Sequence, residues 1–333
     1  MAKKALVTGA AGFIGSHLIR TLQFEHDIEV IALDDLSGGY RENIPENIRF
    51  VEGSINDVRL LETLFKENDF NFVYHLAAYA AEGLSHFIRR FNYTNNLIGS
   101  INLINESIKN DVECFVFTSS IAVYGKGQVP MKEDMVPQPE DPYGISKYAV
   151  EMDLRNAHEM FGLNHVIFRP HNVYGEYQNI GDKYRNVVGI FMNQILQNQP
   201  LSIFGDGEQQ RAFSYVGDIV DAIASSPMNP KAINQVFNIG ADNPFTVTQL
   251  AKEICKVFNL KDYPINYQNA RNEVVIAYSD HSKAYSVFGN PKNTSLHEGL
   301  IKMQKWVKAV GARKSPKFKN IEIERNLPPF WLG

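Results

Sequence analysis

The sequence predicts an α/β protein in which a doubly wound parallel sheet is followed by a smaller, loop-rich C-terminal lobe. Two observations favour this fold class. Short apolar runs alternate with amphipathic stretches over the first half of the chain, which is typical of buried parallel strands joined by helices. The first of these runs ends in a turn with three evenly spaced glycines. With 333 residues, the chain is long enough for such a sheet and a second lobe.

The apolar runs predict the strands of the sheet, and the stretches between them predict its helices. Strands are expected at residues 5–7, 29–33, 72–76, 114–117 and 166–169. Helices are expected at residues 14–23, 58–67 and 98–109. A repeated strand–helix order implies right-handed crossovers, and right-handed crossovers connect parallel strands.

After about Asn172 the pattern becomes less regular, because glycine, asparagine and glutamine accumulate between residues 175 and 182. Helices are expected again at 248–258 and 296–310. We therefore divide the chain into a sheet domain at 1–172, a mainly substrate-binding lobe at 173–312 with some return to the core, and a tail at 313–333. The tail is expected either to pack on this or a neighbouring subunit or to be disordered.

The composition excludes several classes of protein. Hydrophobic residues make up 44% of the chain and charged residues 21%, which is ordinary for a globular protein. The net charge of −4 comes from mixed charges and gives no reason to expect a nucleic-acid partner. Two cysteines, Cys114 and Cys255, cannot build a disulfide framework or a metal site. No signal peptide or membrane-spanning run is found, so a cytoplasmic protein without a membrane partner is expected.

The glycine-rich turn predicts a dinucleotide site of the Rossmann type. Gly9, Gly12 and Gly15 suit a tight turn, close approach to a pyrophosphate and close packing of helix on sheet. Taken alone, this spacing also fits an ordinary strand–helix turn. The next strand, however, ends at Asp34, whose carboxylate can accept hydrogen bonds from the adenosine ribose. Because that carboxylate would repel a 2′-phosphate, NAD is favoured over NADP. Asp35 is interpreted as a solvated turn residue.

A second group of residues predicts proton-transfer chemistry. Tyr143 and Lys147 are four residues apart at the start of a helical stretch and therefore share one helical face. We expect the lysine ammonium and the oxidised nicotinamide to lower the pKa of the Tyr143 phenol toward neutrality. The phenol could then take a proton from a substrate hydroxyl. Ser120 follows a predicted strand and can hydrogen-bond the same oxygen, whereas Ser119 is interpreted as structural.

These motifs together resemble the extended short-chain dehydrogenase/reductase family, and within it most the UDP-galactose 4-epimerase-like nucleotide-sugar enzymes. The resemblance runs from about residue 3 to about residue 310. The motifs that carry it are Thr8-Gly9-x-x-Gly12-Phe13-Ile14-Gly15-Ser16, His75-Leu76-Ala77-Ala78, Asn95-Asn96, Ser119-Ser120-x-x-Val123-Tyr124-Gly125, the Tyr143/Lys147 pair and Arg169-Pro170-x-Asn172-Val173-Tyr174-Gly175.

The resemblance implies a set of functional residues and a homodimer. It implies that NAD is bound by Gly9, Gly12, Phe13, Ile14, Asp34, Ile55, Leu76, Ala77, Ala78, Asn95, Tyr143 and Lys147. A nucleotide-diphosphate sugar would be the substrate, with Ser120, Tyr143 and Asn172 in contact with it. Arg211 and Arg271 would pair with its diphosphate. No metal is implied.

The resemblance also narrows the reaction. Family dehydratases carry an Asp-Glu pair directly after the catalytic serine or threonine, where this chain has Ile121 and Ala122. Relatives that epimerise at C3 and C5 or combine epimerisation with reduction use a cysteine at the position of Ala122. The remaining chemistry is epimerisation at C4 through a transient ketone, on a UDP-hexose or UDP-N-acetylhexosamine. Several alternatives stay open. The enzyme could epimerise or decarboxylate a nucleotide-glucuronate, catalyse another reaction that forms a 4-keto sugar, or act as a reductase. The protein could also be an inactive NAD-binding regulator.

Several residues depart from the family pattern. Ser54 replaces an acid near the adenine, and Ala212 replaces the acid that usually follows Arg211. Glu82, in an unusual Ala-Glu-Gly segment, either contacts the substrate or caps a turn. Ala277 stands where the family often has a bulky tyrosine, which by analogy leaves room for an N-acetyl group.

Overall fold

A computed structural model describes residues 3–127, 129–270 and 274–332 of the chain. Arg271, one of the expected diphosphate-binding residues, lies outside the described residues. None of the helices within the described ranges is both long and apolar enough to cross a membrane.

Strands and helices alternate along the first half of the chain. In order they are β1 (Lys4–Thr8), α1 (Phe13–Glu25), β2 (Glu29–Asp34), β3 (Arg49–Glu52), α2 (Val58–Glu67), β4 (Phe72–His75), α3 (Glu82–Ser85), α4 (Arg89–Tyr93), α5 (Gly99–Lys109), β5 (Cys114–Thr118), α6 (Pro142–Phe161) and β6 (His165–Pro170). A π-helical turn at Thr94–Ile98 joins α4 to α5, and a 3-10 turn at Ile121–Tyr124 follows β5.

The elements of the second half are shorter. In order they are β7 (Val173–Tyr174), α7 (Val187–Leu196), β8 (Leu201–Phe204), β9 (Gln210–Ala212), β10 (Ser214–Tyr215), α8 (Val220–Ser225), β11 (Gln235–Ile239), β12 (Pro244–Thr246), α9 (Val247–Val257), β13 (Ile265–Gln268), β14 (Ile276–Ala277), α10 (Ser282–Phe288), α11 (Leu296–Val310) and α12 (Pro329–Leu332).

Among the described residues, seven strands form one sheet in the order β11-β6-β5-β4-β1-β2-β3, and every neighbouring pair is parallel. The predicted doubly wound parallel sheet is thus confirmed. Two strands of this sheet, β3 and β11, were not predicted. Both are short and carry polar residues, so neither shows a continuous apolar run. The strand order reverses between β1 and β4, and ligands bind outside the carboxyl ends of strands at such a point.

The sheet separates two hydrophobic clusters. Ala5 and Val7 of β1 belong to one cluster, whereas Leu6 between them belongs to the other. This alternation follows from the two-residue period of a strand. Because both faces are covered, the strands are buried on both sides, which explains why their sequences are continuously apolar.

Polar caps set where the later helices begin. The side chains of Thr246 and Gln249 form a capping box at the start of α9, and Ser295 and Glu298 form another at the start of α11. Each box satisfies backbone N–H groups that the first helical turn leaves free. The predicted and observed bounds of α11 agree, and those of α9 differ by one residue at each end.

The second half of the chain builds small sheets beside the main one. Strand β9 pairs with β12 and β14, β8 pairs with β13, and β7 pairs with β10. Strand β11 lies at the edge of the main sheet, and α8 packs against α1. The small sheets stand next to the carboxyl edge of the main sheet and form the second wall of a cavity.

Candidate active site

One large cavity lies between the carboxyl ends of the central strands and the small sheets, with a volume of about 540 Å³. That size is ordinary for a ligand site. Every expected site residue that the structure describes lines this cavity. These residues are Gly9, Gly12, Phe13, Ile14, Asp34, Ile55, Leu76, Ala77, Ala78, Asn95, Ser120, Tyr143, Lys147, Asn172 and Arg211. Residues that are up to about 200 positions apart in the sequence are therefore brought together here.

The glycine turn forms a cradle that has no room for side chains. Gly9 has a φ of +67°, and a Cβ atom on it would lie 2.7 Å from the backbone nitrogen of Ala77. A Cβ on Gly15 would collide with the carbonyl oxygen of Gly9. Helix α1 begins at Phe13 without a side-chain cap, so its first N–H groups stay available to a ligand. This cradle fits the pyrophosphate of a dinucleotide, because free N–H groups and the helix dipole favour an anion.

Asp34 ends β2 beside this cradle and is 8% exposed. One carboxylate oxygen accepts a hydrogen bond from Ala11 N at 3.0 Å, and the other accepts one from Leu36 N at 2.8 Å. Burial raises the pKa of Asp34, while these N–H groups act in the opposite direction. Asp35 is exposed and accepts a hydrogen bond from Ser37 N at 2.9 Å, as expected of a turn residue. Of the two carboxylates, Asp34 is therefore the one that is buried beside the cradle.

Replacing Asp34 with Ala is expected to leave less NAD in the purified protein, because ribose hydroxyls lose a charged acceptor. Hydrogen bonds to charged groups contribute about 1.5–3 kcal/mol each, so NAD affinity should fall about tenfold or more. The measurement is the cofactor released per chain on denaturation. The matched control is Asp35→Ala, which should keep full occupancy; equal occupancy in both variants would contradict the role of Asp34.

Tyr143 and Lys147 reach the cavity from the first turns of α6. The side chain of Asp141 caps this helix by accepting a hydrogen bond from Gly144 N at 2.9 Å, and Pro142 occupies its first position. Tyr143 is 6% exposed and Lys147 is 2% exposed. The capped first turn therefore holds both side chains on the face that meets the carboxyl end of β5.

Ser120 completes this group from the end of β5. Its Oγ accepts a hydrogen bond from Ala122 N at 3.1 Å, which caps the following 3-10 turn. The same hydroxyl lies close enough to the Tyr143 phenol to lower the pKa of that phenol. Lys147 Nζ donates to the carbonyl oxygen of Thr118 at 2.8 Å. It lies 5.8 Å from the centre of the Tyr143 ring.

The electrostatics of this group differ from the expectation for Tyr143. Burial is the largest cause of its shift and raises the pKa of the phenol above its usual value, and the charge of Glu82 adds to the increase. Burial also lowers the pKa of Lys147 to about 7, although Glu151 acts in the opposite direction. In the protein without its cofactor, burial therefore outweighs any lowering of the Tyr143 pKa by nearby positive charge. The reason is that desolvation disfavours the charged form of both side chains.

A buried ion pair between α6 and β6 lies next to the Tyr143, Lys147 and Ser120 side chains. The Glu151 carboxylate, one helical turn after Lys147, accepts hydrogen bonds from the Arg169 guanidinium at 2.9 and 2.5 Å. It also accepts one from the Ser119 hydroxyl at 2.6 Å. Arg169 in turn donates to the hydroxyl of Tyr124 at 2.7 Å. Sequence reasoning missed the pairing of Glu151 with Arg169. The available signals were a carboxylate four residues after Lys147 and an arginine within an apolar strand.

Two of the expected substrate residues, Asn172 and Arg211, also line the cavity. Asn172 has a φ of +41° two residues after the end of β6, and its carbonyl accepts a hydrogen bond from Ser214 N at 3.2 Å. The Arg211 guanidinium donates to the carbonyl of Val275 at 3.0 Å and to that of Val274. These contacts hold a positive charge at the cavity wall, where it can meet an anionic group of a ligand.

The chain is similar to a family of nucleotide-sugar enzymes over most of its length. Residues 5–240 match the model of the NAD dependent epimerase/dehydratase family. A putative UDP-glucose 4-epimerase of Methanocaldococcus jannaschii is 36% identical over 91% of this chain and 98% of its own length. A dTDP-D-glucose 4,6-dehydratase of Mus musculus is 30% identical over 99% of this chain and 94% of its own length.

A solved structure has the same fold. The UDP-glucose 4-epimerase of Thermotoga maritima, solved with UDP-glucose, superimposes with a TM-score of 0.87 and 36% identity over 92% of this chain and 99% of that one. The resemblance to the extended short-chain dehydrogenase/reductases is thus confirmed, and so is the expectation of NAD as the cofactor. The chain belongs to the NAD dependent epimerase/dehydratase family.

Proposed function

We propose that this enzyme epimerises a UDP-sugar at C4 through a transient 4-keto sugar. The observation that carries the proposal is that Ser120, Tyr143 and Lys147 line one cavity, with the Ser120 hydroxyl close enough to the Tyr143 phenol to lower the pKa of that phenol. The glycine cradle, Asp34 and Arg211 line the same cavity as these side chains. This arrangement suits a cofactor and a diphosphate-bearing sugar that meet at the phenol. The relative solved with UDP-glucose supports the same substrate class.

The residues of the cradle would hold NAD, with Asp34 on the adenosine ribose and Tyr143 and Lys147 at the other end. A cofactor held there would supply a hydride acceptor for C4 of the sugar and then a hydride donor for the opposite face of the ketone. The hydroxyl of Thr118 is buried, lines the same cavity and has no hydrogen-bond partner among the described residues. Such a polar atom is consistent with a polar ligand at this position.

The chain's own residues would move the proton. Tyr143 accepts the proton of the C4 hydroxyl, and Ser120 hydrogen-bonds the same sugar oxygen. Because burial raises the pKa of Tyr143, the phenol becomes a base only when a positive charge is near. The Lys147 side chain, whose Nζ lies 5.8 Å from the centre of the Tyr143 ring, and a bound oxidised nicotinamide would together supply that charge. Once it holds this proton, the phenol is neutral, and it can return the proton to the C4 oxygen when the ketone is reduced.

The residues around Ser120 favour epimerisation over elimination of water. Ile121 and Ala122 follow Ser120 and line the cavity, and neither side chain can move a proton. A dehydratase needs an acid and a base next to the ketone to eliminate water. In this proposal, the 30% sequence identity with the mouse dehydratase reflects a shared fold and a shared first step, the oxidation at C4.

The charges near the phenol favour a neutral sugar over a glucuronate. Glu82 and Asp141 both raise the pKa of Tyr143, so two negative charges act on the position of the sugar. Arg185 acts in the opposite direction, but it is already paired with Asp182 at 2.8 Å. A sugar carboxylate would be repelled there. Ala277 lines the same cavity and, being small, leaves room for an N-acetyl group.

A panel of UDP-, GDP-, CDP- and dTDP-sugars, incubated without added NAD, tests this proposal. We expect UDP-glucose and UDP-galactose to interconvert, UDP-N-acetylglucosamine to be converted as well, and NMR of the products to show inversion at C4 alone. A 4-keto-6-deoxy product would identify a dehydratase. Consumption of added cofactor in proportion to product would identify a reductase. No conversion by NAD-loaded protein would identify a regulator.

We further propose that residues 1–172 bind the cofactor, that 173–312 bind mainly the substrate, and that the enzyme works as a cytoplasmic homodimer. Both cysteines are free thiols, which suits a reducing compartment. Ile145 and Met152, seven residues apart on α6, are 40% and 48% exposed, and Ile98 before α5 is 51% exposed. Since α5 packs against α6, these side chains form an apolar surface suited to a four-helix contact.

A further inference from the structure

The C-terminal segment, residues 313–332, packs against the wall of the cavity, and its Phe330 lines the cavity itself. At its start, the Arg313 guanidinium lies 4.2 Å from the centre of the Tyr40 ring and pairs with Glu42 at 2.9 Å. Further on, Phe318 N donates to the hydroxyl of Tyr184 at 3.0 Å. Tyr184 lines the cavity, so the segment runs directly along the cavity rim.

The second half of the segment is tied to α3 and α4. Glu322 accepts hydrogen bonds from Arg90 N and Phe91 N, both at 2.8 Å, and its own N–H donates to the Phe87 carbonyl at 2.8 Å. Trp331 is 2% exposed and packs against Gly83, on which a Cβ would lie 3.2 Å from the indole. These contacts fix the segment as part of the folded protein.

Phe330, next to Trp331, lies on the cavity side of this segment. Its ring packs edge to face with Phe204, the last residue of β8, with 5.6 Å between the ring centres and 85° between the ring planes. Phe204 also lines the cavity. The pair therefore joins the C-terminal segment to the proposed substrate-binding lobe. Gln209, two residues before Arg211, donates a side-chain hydrogen bond to the Phe204 carbonyl at 2.9 Å, so the two rings lie near the strand that carries Arg211.

We propose that Phe330 is a substrate-specificity residue whose ring contacts the nucleobase, so that the C-terminal segment completes the nucleotide site. This inference rests on the proposed function. The cradle and Asp34 take the cofactor, and Ser120 with Tyr143 takes the sugar, which leaves the part of the cavity around Arg211 for the nucleoside diphosphate. A base offers a flat aromatic face and a diphosphate offers negative charge, and this part of the cavity presents rings and a guanidinium.

The experiment measures UDP binding to the NAD-loaded full-length protein by calorimetry. Stacking of a base on an aromatic side chain contributes enough affinity that Phe330→Ala should raise the Kd of UDP about tenfold or more. Phe330→Leu should do the same while it preserves apolar packing against Phe204, and Phe330→Tyr should stay within about twofold of wild type. The Ki of inorganic pyrophosphate, which has no base, should not change in any variant. The matched control is Ile323→Ala, at an exposed position of the same segment.

The possible outcomes distinguish a failure of the proposed Phe330 contact from a failure of the proposed function. The first outcome is that folded, NAD-loaded Phe330→Ala and Phe330→Leu bind UDP as tightly as a wild type that epimerises UDP-sugars. This outcome overturns the role of Phe330 and leaves the proposed function standing. A wild type that neither binds UDP nor converts any nucleotide sugar overturns the proposed function and this inference together. An equal loss of UDP and pyrophosphate binding in Phe330→Leu indicates a distorted cavity instead of a lost base contact and also overturns the inference.

Discussion

Tyr143→Phe is expected to lower kcat for C4 epimerisation by about 10²–10⁴-fold, the contribution typical of a positioned general acid or base. The variant lacks the phenolic oxygen that takes the proton of the C4 hydroxyl, whereas the ring still fills its buried position. NAD content should be unchanged, because the cradle and Asp34 are untouched. Initial rates with UDP-glucose and the NAD released on denaturation are the two measurements.

The matched control is Tyr148→Phe. Tyr148 lies on the same helix but packs against the apolar cluster of Ile121 and Val123. Its hydroxyl should be dispensable, so kcat should stay within about twofold, as for a surface change that breaks no catalytic contact. Full activity of Tyr143→Phe would show that another group accepts the proton, and the proposed chemistry would then be wrong.

Glu151→Gln is expected to destabilise the protein by about 3–5 kcal/mol, because the change leaves the buried Arg169 guanidinium without its counter-charge. Both side chains are almost completely buried, at 0% and 2% exposure. The same variant removes the charge that raises the pKa of Lys147. Lys147 should then lose its proton at lower pH, so the limb of the pH–kcat profile that depends on its charge moves to lower pH.

Urea unfolding measures the first effect, and pH–rate profiles of the surviving folded enzyme measure the second. Arg155→Gln is the control, since Arg155 also faces Glu151 but is about half exposed, with 3.8 Å between the nearest charged atoms. Its loss should cost less than about 1 kcal/mol. Equal stability of the two variants would contradict the view that the Glu151–Arg169 pair anchors α6 to β6.

The sheet was predictable because its strands are buried on both faces and therefore read as apolar runs. Strand β11 escaped prediction because Gln235 and Asn238 interrupt its apolar pattern. Asn238 fits inside the protein because its side chain accepts a hydrogen bond from Tyr124 and donates to the Met131 carbonyl, at 2.8 and 3.1 Å. Such pairing depends on residues more than 100 positions away, which a local pattern does not contain.

The site divides in the same way. Short motifs with fixed spacing identified the glycine cradle, Asp34 and the Tyr143/Lys147 pair, because each motif belongs to one strand–helix unit. The Glu151–Arg169 pair and the packing of Phe330 on Phe204 depend on contacts between distant segments. The raised pKa of Tyr143 in the protein without its cofactor was not predicted because its burial, which outweighs the nearby charges, is a property of the folded chain.

The central claim is that the hydride removed from C4 is the hydride that returns to it. UDP-glucose labelled with deuterium at C4 tests this claim when it is incubated with the NAD-loaded enzyme in ordinary water. We expect UDP-galactose to form with its deuterium retained at C4, as read by NMR. Replacement of that deuterium by solvent hydrogen would contradict the account, because it would mean that C4 had been deprotonated instead of oxidised.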